Sequence, residues 1–140
     1  MDSWTYTQFK TSRDFVYSYI HLPPTQGRGY ILFLHGFPSS AYDWHYQIPY
    51  FYRKGFGIVV PDLLGSGSTS KHLDPGSYTG KGMSQDVREI LKHEAIDPAI
   101  GVGHDWYERI FQRESACVLI CLPGGHFYRE IGQLLPFTFL

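Results

Sequence analysis

The sequence has little that would mark a chain as membrane-spanning, nucleic-acid-binding or metal-dependent. It holds only two cysteines among its 140 residues. Cys117 and Cys121 form a C-x3-C pair with no second ligand pair near them. His126 alone does not complete a zinc site, so two buried free thiols are expected. A formal charge of −1 leaves no electrostatic footprint for nucleic acid or an anionic membrane. The longest basic run is Arg53-Lys54. No apolar stretch reaches the ~18 residues that a membrane span needs. The start, Met1-Asp2-Ser3-Trp4-Thr5, lacks the apolar core of a signal peptide. A cytoplasmic chain is expected, with no nucleic-acid partner, no metal and no cofactor; its oligomeric state is left open.

What is present suits a globular domain. Hydrophobic residues make up 43% and charged residues 18%, which argues against disorder. Aromatics reach 17%, a share that fills cores and lines apolar small-molecule pockets.

Periodicity divides the chain. Residues 4–10 and 14–22 alternate in polarity around Ser12-Arg13-Asp14, which predicts an antiparallel hairpin. Tyr30 to Leu34 is a continuous apolar run, the pattern of a strand buried on both faces. Ser39-Ser40 offer an N-cap, and Tyr42 to Lys54 reads as helix until Gly55 stops it. Pro49 predicts a kink there, or two short pieces. Phe56 to Val60 is a second buried strand, followed by a Gly- and Ser-rich loop from Leu64 to about Ser77. Ser84 to Ile96 predicts an amphipathic helix with Val87, Ile90, Leu91 and Ala95 on one stripe. Ala99 to Val102 is a third buried strand, and Val118 to Leu122 a further one at the sheet edge.

A hairpin followed by strand, helix, strand, helix and strand is an α/β sheet with parallel crossovers. Ligands of such sheets bind beyond the carboxyl ends of the strands. His35-Gly36-Phe37-Pro38, Pro61 to Gly65 and Gly103-His104-Asp105-Trp106 should therefore converge on one rim. Gly103 lets the backbone bend tightly, and a carboxylate presented at a helix start, as Asp105 would be, stays ionised. Such a group can act as nucleophile, general base or metal ligand, or simply cap the helix. His35-Gly36 exposes backbone N–H groups beside a strand end, where they can bind a developing oxyanion. Pro38 has no N–H, so Phe37 is the available donor, and the Phe37-Pro38 bond is a candidate for cis.

Together these segments resemble the α/β-hydrolase superfamily and, within it, the epoxide hydrolases. The pieces that match are His35-Gly36-Phe37-Pro38, Trp44, Asp62 to Ser68 and Val102-Gly103-His104-Asp105-Trp106, in the family's order. The resemblance implies that Asp105 is the nucleophile, attacking an epoxide carbon to form an alkyl-enzyme ester. It implies an oxyanion hole from the N–H groups of Phe37 and Trp106, with His35, Gly36, Pro38, Gly103 and His104 as supporting motif residues. The substrate it implies is a small epoxide. Haloalkane dehalogenases also place Trp after Asp, but Phe37 favours the epoxide hydrolases.

The sequence departs from the family at Tyr107, where a small residue is usual. Residues 107–140 do not resemble it at all, and no cap domain is expected in the chain. The expected architecture is thus a partial α/β-hydrolase fold over residues 1–106 with a divergent tail over 107–140. Glu114 and His126 follow Asp105 in the order of acid and histidine, without the scaffold that would make them a triad. Trp106-Tyr107 must be encoded by TGGTAY, which contains the opening of many intron donor sites. The tail is therefore expected to derive from such a segment. The expected function is an epoxide-hydrolase-type chain lacking complete catalytic machinery. The alternatives are a non-catalytic small-molecule-binding protein of the same fold and a dehalogenase-like fragment.

Overall fold

A computed structural model describes residues 4–103 and the strand at residues 117–121. Six strands form one mixed sheet: β1 (Tyr6–Lys10), β2 (Val16–Leu22), β3 (Tyr30–Leu34), β4 (Gly57–Pro61), β5 (Ala99–Gly103) and β6 (Cys117–Cys121). Their order across the sheet is β1-β2-β4-β3-β5-β6. The hairpin is antiparallel as expected, and β2 also runs antiparallel to β4. The remaining neighbours, β4-β3, β3-β5 and β5-β6, are parallel.

Two α-helices, α1 (Gln47–Arg53) and α2 (Gly80–His93), and two 3-10 turns, Ala41–Trp44 and Pro75–Tyr78, complete the described part. From β3 the chain moves to β4 on one side, then returns past β3 to reach β5 on the other. Right-handed crossovers in opposite directions put their helices on opposite faces of the sheet. The core divides accordingly. Ile31, Phe33, Ile58 and Val60 pack with Trp44 and Ile48 on the α1 face. Leu32, Leu34 and Val59 pack with Met83, Val87 and Ile90 on the α2 face. Burial on both faces explains the unbroken apolar runs, since each side chain gains about 1.5–3 kcal/mol by leaving water.

The expected break in the first helical segment is present. A single 3-10 turn, Ala41–Trp44, is capped by Ser40, whose hydroxyl accepts from the Tyr42 amide. Helix α1 then begins at Gln47, so Pro49 lies in its first turn, where no N–H partner is lost. The second helix starts one turn earlier than expected. Thr79 caps it by accepting from the Gly82 amide at 3.1 Å, which offsets the low helix propensity of Gly80 and Gly82.

Polar ties hold α2 to the hairpin at its middle and beyond its end. Midway along α2, fully buried Asp86 accepts from Arg13, in the turn before β2, at 2.7 Å and from the Tyr17 hydroxyl of β2 at 2.9 Å. Beyond its end, Glu94 accepts from the Tyr19 hydroxyl at 2.5 Å and pairs with His21 at 2.9 Å.

One core assignment is corrected. Ala95 is exposed rather than part of the apolar stripe, because the helix stops at His93 and Ala95 takes a left-handed φ of 55°. Met83 fills the stripe instead. A Cβ in that conformation costs roughly 1 kcal/mol, partly offset in a glycine variant by extra unfolded-state entropy. Ala95→Gly should therefore raise stability by about 0.5 kcal/mol, measured as a higher urea midpoint with an unchanged slope.

Candidate active site

Parallel pairing brings the carboxyl ends of β3, β4 and β5 to one edge of the sheet. Leu34 lies opposite Gly103, and Leu32 opposite Val59. The loops after β3 and β4 therefore share the rim expected for them, and β5 delivers Gly103 to the same place. His104, Asp105, Trp106, Tyr107, Glu114 and His126 lie outside the described residues, as do the thiols of Cys117 and Cys121.

His35 is fully buried at the end of β3. Its Nδ1 lies 2.8 Å from the Gly36 carbonyl, and its Nε2 lies 2.9 Å from the Leu63 amide. A carbonyl only accepts and an amide N–H only donates, so Nδ1 carries the proton and Nε2 the lone pair. The ring is thus held as one neutral tautomer. Burial pushes its pKa below the ordinary value, outweighing the nearby Gly36 carbonyl and the charge of Asp62.

Asp62, at the end of β4, is also buried. Its Oδ1 accepts from the Ala41 amide at 2.8 Å and its Oδ2 from the Ser68 amide at 3.0 Å. Its own peptide is fixed by the Ser18 carbonyl at 2.9 Å and the Thr69 hydroxyl at 2.6 Å. Gly67 allows this closure, having φ +48° and a position where any Cβ would stand 2.0 Å from Asp62 Oδ2.

Between buried His35 and buried Ala41, the loop carries Phe37 out to solvent, its residue 74% exposed. The Phe37-Pro38 peptide is cis. Trp44 lies beneath this loop, its ring 4.9 Å from that of Phe33. It contributes to the core rather than to the rim surface.

The structure thus brings together His35, Gly36, Phe37, Pro38 and Gly103 of the residues expected at the site. The bracing role of Asp62, with Ser68 and Thr69, was missed. Its signal was an acid directly after an apolar strand, followed by a Gly-x-Gly loop able to fold back onto it. Among the described residues no group of three or more His, Cys, Asp or Glu side chains could hold a metal ion. No helix there is long and apolar enough to cross a membrane.

The family model described as the alpha/beta hydrolase fold matches residues 29–106. The chain belongs to this family. Epoxide hydrolase 2 of Siraitia grosvenorii is 40% identical over 106 residues, covering 71% of this chain and 33% of that protein. Epoxide hydrolase B of Mycobacterium tuberculosis is 38% identical over 84 residues, covering 60% of this chain and 24% of that one. A variant of Vigna radiata epoxide hydrolase superposes with a TM-score of 0.79 at 25% identity, covering 94% of this chain and 42% of that structure. This α/β-hydrolase chain spans a third or less of the length of these curated relatives.

Because His35 is held neutral in the fold, the unfolded chain binds more protons just below pH ~6.5. The stabilising contribution of His35 is full above that pH and is lost progressively as pH falls toward the depressed folded value. His35→Ala should cost about 1–3 kcal/mol at pH 7, since it leaves the buried Leu63 amide without an acceptor. It should also flatten the dependence of stability on pH between about 5 and 7. Urea titrations of both proteins at several pH values check this.

Proposed function

We propose that this α/β hydrolase is of the epoxide-hydrolase type, with Asp105 as the attacking nucleophile. The observation that carries the reading is the pairing of β3 with β5. Leu34 lies opposite Gly103, so β3 and β5 end at adjacent points on one rim; in the chain His35 follows the first and His104 the second. The names of the aligned relatives support the reaction class.

In the first step an Asp105 oxygen forms a bond to an epoxide carbon, the ring C–O bond breaks, and the freed oxygen takes a proton from water. The product is an alkyl ester of Asp105. In the second step water adds to the ester carbonyl carbon and gives up a proton to solvent, and negative charge gathers on the carbonyl oxygen; the departing diol oxygen takes a proton back. The Phe37 and Trp106 amides bind that oxyanion, and collapse releases the diol. An aspartate at this turn suits attack on saturated carbon, where a serine would suit acyl transfer.

We further propose that residues 107–140 diverge from the family and that the 140-residue chain therefore completes the first step and not the second. Mixing it with styrene oxide should add one epoxide mass to Asp105, read by intact and peptide mass spectrometry, with no diol released. Asp105→Asn should abolish the adduct. Diol turnover that Asp105→Asn abolishes would overturn the claim of an incomplete site. Absence of any adduct, with tight small-molecule binding, would favour a non-catalytic role.

A further inference from the structure

We infer that Asp62 is a positioning residue for the oxyanion-binding loop, acting through the Ala41 amide to hold the Phe37 peptide in place. The inference rests on the reading of Phe37 given above. Asp62 itself touches no reacting atom.

The loop from His35 to Ala41 has two buried ends and an exposed middle. Its first end is held by the His35 ring against the Leu63 amide, and its second by Asp62 Oδ1 against the Ala41 amide. Pro38 is exposed and Ser39 and Ser40 are half-buried; Ser40 caps the 3-10 turn that follows, and the Asp62 tie is what anchors that exit to the end of β4. An oxyanion donor is effective only when its N–H points at the developing charge, so the tie that fixes the exit also aims the donor.

The residue type at 62 is demanded by the geometry. Two amides from two different loops, Ala41 and Ser68, reach separate oxygens of one side chain. A carboxylate accepts at both oxygens, whereas an asparagine presents one acceptor and turns a donor toward the other amide. The far loop is itself braced, since the Thr69 hydroxyl donates to the Asp62 carbonyl and accepts from the Ser18 amide at 2.9 Å. Asp62 therefore links the Phe37 loop to the most buried part of β2. Gly67 approaches the same carboxylate so closely that a methyl group there would displace it.

The test uses Asp62→Asn and Gly67→Ala in the 140-residue chain. Amide hydrogen exchange is measured over residues 36–41, β2 and α2. The Asp105 ester is then formed with styrene oxide, excess epoxide is removed, and loss of the adduct is followed at pH 9. There hydroxide adds to the ester carbonyl and the departing diol oxygen takes a proton from water. Both variants should speed exchange in 36–41 about tenfold or more while α2 stays protected. They should slow ester loss about tenfold more than they slow ester formation, a split that general loss of folded protein would not give. Unchanged exchange in 36–41, exchange rising equally throughout, or formation and loss falling together would each overturn the inference. If the parent chain forms no ester, the epoxide-hydrolase reading fails while hydrogen exchange still decides whether Asp62 holds the loop.

Discussion

Two side chains cross in opposite directions between the ends of β3 and β4, and the shape of the rim depends on that exchange. His35 leaves β3 and accepts from an amide of the loop after β4, while Asp62 leaves β4 and accepts from an amide of the loop after β3. Both are buried, so neither amide has water as a substitute partner. In a low-dielectric interior, losing either acceptor costs the full desolvation of an N–H group. Each loop is thereby held in a shape that it could not keep alone.

The exchange is possible because of the sheet beneath it. Side chains alternate between two apolar faces along β3 and β4, one packed with α1 residues and the other with α2 residues. The strands are thus fixed in parallel register and their carboxyl ends are level. The ties from α2 to β2 through Asp86 and Glu94 set the position of the hairpin. From β2, Ser18 reaches the loop after β4 through Thr69. Packing sets the register, and polar contacts convert it into a defined rim.

Much of this fold was legible in the sequence. The apolar runs from Tyr30 to Leu34 and from Phe56 to Val60 announced strands buried on both faces, found at Tyr30–Leu34 and Gly57–Pro61, and the alternation at the start announced the hairpin. The start of α2 was not legible, because Gly80 and Gly82 count against helix while the Thr79 cap reveals itself only through a hydrogen bond. The exposure of Ala95 escaped for a related reason: periodicity cannot tell the last helical residue from the first left-handed one. At the site, His35 and Phe37 were visible as motif residues, but the use made of His35 was not. That use depends on Leu63, 28 positions away in the chain, and on a pairing that only the folded sheet supplies. Asp62 was visible as part of a family pattern and silent about its partners for the same reason.

The account stands or falls on the state of the His35 ring. Nitrogen-15 NMR of the imidazole, recorded from about pH 8 to pH 5, reports which ring nitrogen carries hydrogen and whether the ring titrates. The account predicts a single neutral tautomer, protonated at Nδ1, that persists below the pH at which an exposed histidine takes up its second proton. A ring protonated at Nε2, or one that titrates like a free imidazole, would contradict it.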